Sequence, residues 1–188
     1  KVVIGFESLL SANLKQMGKD KSYKAEQYAE NIMRIQSLGI EIQGFFIFGY
    51  DYDDEKVFDK TVNFIKSTNL ALPNFSILTP LPGTRLFRRF DREGRLLYND
   101  WRKYDARHVC FKPKLMSPEA LQNGYNWAMR EVSSYEAIFE RLRGIWNLWN
   151  RSRVRLQDRI TPIIVNLSLN DVVRSFPEAS HPLDFREN

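Results

Sequence analysis

The chain has 188 residues, 43% of them hydrophobic and 13% aromatic, with one cysteine and a net charge of +5. That composition can bury a sizeable core and excludes a disordered, purely solvated chain. The lone Cys110 excludes an internal disulfide framework and any all-cysteine zinc or iron–sulfur site made by this chain alone.

No apolar run approaches the roughly 20 residues that cross a bilayer, and the start lacks a signal-peptide pattern, so the expected location is the cytoplasm. Charge is uneven. Residues 1–83 carry a net −1 and residues 84–188 a net +6. A basic second half is able to meet RNA, an anionic membrane surface or an acidic partner; scattered arginines more often only solvate a helical region.

Val2-Val3-Ile4 is β-branched on both faces, as in a strand buried within a parallel sheet. Helical spacing follows over Leu9 to Met17 and Tyr23 to Leu38, with Gly39 as the stop. Phe45 to Phe48 is a second two-sided strand closing on Gly49, and Asp53 or Asp54 is placed to cap the next helix. A third strand, Asn74 to Leu78, follows Leu72-Pro73. The strand centres lie about 30–40 residues apart, which leaves room for a crossover helix each time and rules out hairpins. The expected class is therefore α/β: a partial, half TIM-type barrel of about three parallel β/α units, then a mainly helical extension.

From Pro80 the character changes. Pro80-Leu81-Pro82-Gly83 breaks regular structure, and Thr84 caps a short helix through Phe90. Residues 91–114 read as irregular and aromatic. Ser117-Pro118-Glu119 opens a helix expected to run past Leu142 and break near Gly144, with further helices over 146–159 and 162–174. The expected division is 1–90, 91–176 and a loose tail over 177–188. Three strands alone leave Val2-Val3-Ile4 at an edge despite a composition made for burial, so the expectation is that preceding sequence supplies its neighbour.

Each strand ends in ligand-suited residues, and in βα architectures those ends share one rim. Together GFES at 5–8, FFIFGYDYDD at 45–54 and FSILTPLPGTRLF at 75–87 resemble the second half of the radical S-adenosylmethionine (SAM) barrel. DWRKYDARHVCFKPKLMSPEAL at 100–121 resembles the C-terminal extension of radical SAM proteins that carry an N-terminal cobalamin-binding domain.

The resemblance implies a barrel that holds a [4Fe-4S] cluster through a CxxxCxxC loop, SAM bound at the cluster, and methyl transfer from cobalamin. It matches Glu7 and Ser8 to the ribose and methionine contacts, Phe48 and Gly49 to the adenine-lining strand end, and Leu78, Thr79 and Pro80 to the opposite adenine flank. Phe45 replaces the first glycine of the adenine motif, and Tyr52 falls where its final acid belongs. The chain has no CxxxCxxC, so it should not assemble a cluster or generate a radical by itself; the expected completing partner is the N-terminal half of the barrel. The substrate, a small molecule or a lipid, is left open.

Plainer readings stand beside these. Glu7 could cap a helix; Asp51, Asp53, Asp54 and Glu55 suit helix capping better than a metal; His108 and Cys110 are two ligands too few for zinc; Trp127, Trp146 and Trp149 suit packing. The rival function is a basic, non-enzymatic module that binds RNA or a protein. An aldolase or lyase of the TIM type would want a lysine at a strand end, and none is there.

Overall fold

The computed structural model describes residues 1–19, 25–98, 100–151 and 164–168. Its centre is a parallel sheet in the order β1 (Val2–Glu7), β2 (Ile42–Phe48), β3 (Leu72–Ile77). Helices α1 (Ser11–Gln16) and α2 (Tyr28–Ser37) connect β1 to β2, and α3 (Lys56–Thr68) connects β2 to β3. The rhythm expected from strand spacing is therefore present, and the remainder is mostly helical.

Alternation along the strands explains which face is covered. Phe6, Phe46, Phe48, Phe75 and Ile77 point to the helices and are buried with Leu14, Ile32, Phe58 and Ile65. Phe6 stacks on Phe46 with ring centroids 5.3 Å apart, and Phe48 meets Phe58 at 4.9 Å and Phe75 at 5.1 Å. The intervening residues Gln43, Phe45, Ile47, Asn74 and Ser76 lie on the opposite face and are only half-buried.

One strand bound needs correction. β1 lies at the sheet edge, as three strands alone require: Val3 is 65% exposed and Val2 37%, because β1 pairs only with β2 among the described residues. β3 starts at Leu72, so Pro73 lies inside it, paired with Gly44. An edge strand tolerates the missing N–H. The outer side of β3 is partly sealed where the Ile77 N–H donates to the Ala106 carbonyl at 2.8 Å.

Beyond the sheet, α4 (Arg85–Arg92) is capped by Thr84, whose hydroxyl accepts from the Phe87 N–H. An isolated bridge between Leu96 and Phe111 organises the stretch read as irregular. α5 (Pro118–Ser133) starts as expected at Ser117, whose hydroxyl accepts from the Ala120 N–H. The long helix does not break near Gly144. It breaks at Ser134, and α6 (Tyr135–Arg151) runs through Gly144, where a Cβ would collide with the Asn69 side chain. The glycine signals close approach, not a stop.

The extension shares the sheet's core, since Phe90, Phe111, Leu121 and Tyr125 are buried in the same cluster as the strands. Trp149 is buried beside Leu72 and donates its indole N–H to the Gln36 carbonyl at 3.1 Å, while Trp127 is half-buried against the main core and Trp146 is 38% exposed. Gln36 ties the stretch after α3 as well: its side-chain amide donates to the Thr68 and Asn69 carbonyls and accepts from the Ala71 N–H. Residues 164–168 are helical; the expected helical residues 23–24, 152–159, 162–163 and 169–174, and the tail over 177–188, lie outside the described residues.

Candidate functional site

The C-terminal ends of the three strands bring Glu7, Gly49, Tyr50 and Leu78 to one rim. Glu7 is unusual there. Its φ is +64°, and the β1–β2 register shifts between Gly5 and Glu7. A non-glycine residue in the left-handed region costs about 1 kcal/mol, and such strain gathers at ligand sites. The bulge turns the Glu7 carboxylate back over Gly5, where a Cβ would stand 2.8 Å from Oε1. Gly5 is thus what lets the acid lie over its own strand. Glu7 Oε1 accepts from Lys19 Nζ at 2.8 Å, with both side chains part-exposed. It is not a helix cap: α1 is entered through Leu10, which makes no side-chain cap.

Ser8 is 4% exposed and already engaged. Its hydroxyl oxygen accepts from the Leu10 N–H at 3.1 Å and from Asn13 Nδ2 at 3.0 Å, which fixes the turn after β1. Phe48 turns its ring into the core, leaving the rim only its carbonyl, which accepts from the Leu78 N–H at 2.8 Å. Gly49 has φ +102°, and a Cβ would meet Phe111 and Leu121 at 2.9 Å. Its need for glycine is therefore met inside the protein. Thr79 donates its hydroxyl to the Ile77 carbonyl at 2.9 Å, and Pro80 is buried.

The acidic loop does different work from the capping expected of it. Only Asp54 serves the start of α3, accepting from the Lys56 N–H at 3.0 Å. Asp53 is 1% exposed and folds the loop instead: it accepts from the Gly49 N–H at 2.9 Å, the Tyr50 N–H at 3.0 Å and Asn13 Nδ2 at 2.7 Å. Burial outweighs those hydrogen bonds and pushes its carboxyl up to about 6. Tyr50, packed at the rim, has its phenol acidity suppressed by burial first and then by the Glu7 and Asp53 charges. Tyr50 and Asn13 were not singled out in the sequence, where a lone Tyr or Asn carries no motif.

Asp51 gathers cations. Arg95 Nη1 lies 2.9 Å from Oδ1, and Arg89 Nη2 and Lys114 Nζ each lie 3.2 Å from Oδ2, joined there by Gln16 Nε2 at 2.8 Å. Burial alone would raise this carboxyl, but the hydrogen bonds from Gln16 and Arg95 and the charges of Arg89 and Arg95 hold it below the usual range. The Arg95 guanidinium lies over the Phe90 ring at 4.0 Å. This pin fastens the β2 loop to the extension. It is assembled from positions up to 98 residues apart in sequence, which is why no local pattern announced it.

Among the described residues no group of three or more His, Cys, Asp or Glu is disposed to hold a metal. Cys110 is buried and its thiol is pushed up to about 11 by burial, which keeps it protonated and a poor ligand. His108 is exposed and bonded to Asp105 at 2.9 Å. An iron–sulfur cluster does not fit the residues of this chain. At the rim a part-exposed carboxylate, backbone polar groups and a half-buried apolar face meet.

Residues 84–174 match a family described as a domain of unknown function, DUF4070. The bacteriochlorophyllide d C-12(1)-methyltransferase of Chlorobaculum tepidum is 40% identical over 141 residues, covering 75% of this chain and 30% of that protein. The C-8(2)-methyltransferase of the same organism is 31% identical over 78% of this chain and 32% of its own length. The hopanoid C-2 methylase of Rhodopseudomonas palustris is 32% identical over 54% of the chain and 19% of its own length.

The chain belongs to the radical SAM superfamily. Within it, the chain corresponds to the C-terminal part of the cobalamin-binding-domain class, as the segments at 5–8, 45–54, 75–87 and 100–121 suggested. It spans about a third of the length of the first two curated relatives it matches. Among the described residues no helix is long and apolar enough to cross a membrane.

Proposed function

We propose that this chain supplies one side of the SAM pocket in a radical SAM methyltransferase, as the second half of a TIM-type barrel over 1–90 with a helical extension over 91–176. SAM, cleaved at a [4Fe-4S] cluster, supplies the radical chemistry in that class, and cobalamin is the methyl carrier proposed beside it. The cluster ligands and the cobalamin domain belong to sequence that this chain does not contain, so the chain alone is inactive.

The observation that carries this reading is Glu7. A strained bulge holds its carboxylate over Gly5 at the strand-end rim, where among the described residues it pairs with the part-exposed Lys19. In the proposed pocket Glu7 exchanges Lys19 for the ribose hydroxyls or the ammonium group of SAM. Gly49 and the backbone of Phe48 line one side of adenine, and Leu78, Thr79 and Pro80 the other. Ser8 contributes by shaping the turn that presents Glu7. Phe45 and Ile47 furnish the apolar wall that keeps water from a radical.

The test joins this chain to the N-terminal portion of the 40%-identical C-12(1)-methyltransferase and reconstitutes the product anaerobically with iron and sulfide. The expected outcome is release of 5′-deoxyadenosine from SAM after reduction, strongly diminished by Glu7→Ala. A chimera that shows four-iron absorbance yet neither binds nor cleaves SAM contradicts the proposal. This chain by itself should show no stable four-iron spectrum.

A further inference from the structure

The helix α4 follows directly on the rim, and its sequence RLFRRFDR sorts by face. Phe90 is buried, Leu86 and Phe87 are half-buried, and Arg85, Arg88 and Arg92 fall together on the exposed side. These three arginines, with Asp91, line a shallow cleft of about 490 Å³. Their only side-chain partners among the described residues are carbonyls: Arg88 Nη1 donates to Gly83 at 2.7 Å, and Arg92 Nε donates to Arg88 at 3.1 Å. Three guanidinium groups facing one carboxylate suit phosphate oxygens, which arginine binds through paired N–H donors.

Apolar groups flank the same helix turn and are turned outward. Leu81 is 50% exposed and is tied to the cap of α4, its carbonyl accepting from the Thr84 hydroxyl at 2.7 Å. Trp101 is 55% exposed and rests on Phe87 with centroids 6.0 Å apart. Tyr98 is exposed too, with Lys103 Nζ 3.9 Å from its ring centroid. An aliphatic chain, an indole and a phenol beside a row of arginines match the layered chemistry of a bilayer surface, where aromatic groups sit at headgroup depth and cations meet anionic lipid. Base stacking would leave Leu81 without a use, and an acidic protein would leave Leu81 and Trp101 exposed.

We infer that the arginine row of α4 (Arg85, Arg88 and Arg92), with the exposed Leu81 and Trp101 that flank the helix, docks on an anionic phospholipid surface. The inference is independent of the radical chemistry, because it rests on α4 and its flanks and not on the SAM pocket.

The experiment is flotation of the full chain with vesicles of phosphatidylglycerol and phosphatidylcholine in equal parts, against phosphatidylcholine alone. Binding is expected to the anionic vesicles only, and to fall as salt shortens the reach of the charges. Arg85→Gln with Arg92→Gln should weaken partitioning on the order of fivefold per arginine removed. Leu81→Ser with Trp101→Ser should weaken it independently of salt, and Lys56→Gln with Lys60→Gln, exposed on α3, should leave it unchanged. Far-ultraviolet circular dichroism checks that each variant is folded. No partitioning, equal loss in the α3 variant, displacement by excess inorganic phosphate, or tighter binding to single-stranded RNA at the same arginines would each overturn the inference.

Discussion

Asp53 and Asp51 stand two residues apart on one loop and respond to acid in opposite senses. Asp53, raised from 3.8 to about 6, is protonated more readily in the folded chain than in the unfolded one. The folded state therefore binds more protons between those values, and this group's contribution to stability falls as pH rises through that window. Asparagine mimics the protonated form, so the stability of Asp53→Asn relative to the parent should grow by at most about 3 kcal/mol between pH 4 and 7. Urea unfolding at both pH values measures it; a constant difference would refute the assignment. Asp51, held low, stabilises above its unfolded value and loses that contribution as pH falls through its folded one. Removing it strands Arg95, so Asp51→Ala should cost about 3 kcal/mol or more in urea at neutral pH. A loss below about 1 kcal/mol, the size of an exposed pair, would mean that the pin is solvated.

Among the elements, the close approaches decide what tolerates change. Gly124 on α5 lies against the Phe58 ring, and Gly144 on α6 against Asn69, so an added methyl has no room at either. Gly124→Ala should lower stability by about 1–3 kcal/mol despite alanine's better helix propensity, read as a fall in melting temperature. An unchanged or higher melting temperature would show that α5 and α3 are free to move apart. These two glycines also show what the sequence conveys and what it hides. Thr84, Ser117 and Gly39 act through neighbours one turn away, and their capping was legible. Gly144 acts through Asn69, 75 positions upstream, and so read as a helix stop. For the same reason the rim segments were legible as segments, while Asn13, Tyr50 and the Arg89–Arg95–Lys114 pin were not. Phe48 was picked by position alone; the alternation that turns its ring inward follows from which face the helices cover.

At the scale of the whole molecule, the sheet has one covered face and one half-open face, and the proposed pocket uses the second. The aromatic layer of Phe6, Phe46, Phe48 and Phe75 fixes the strands against α1 to α3, and the extension is locked on through Asp51, Gln36 and Trp149. The opposite face presents Phe45 and Ile47 beneath the folded-back Glu7. In the proposed pocket a ligand at the rim would leave the core packing untouched. The most direct measurement is calorimetric titration of SAM into the cluster-loaded chimera with and without Glu7→Ala. A charge-assisted contact to the ribose or ammonium group predicts affinity roughly 10- to 100-fold weaker in the variant. Equal affinity in the two proteins would remove Glu7 from the pocket and contradict the account.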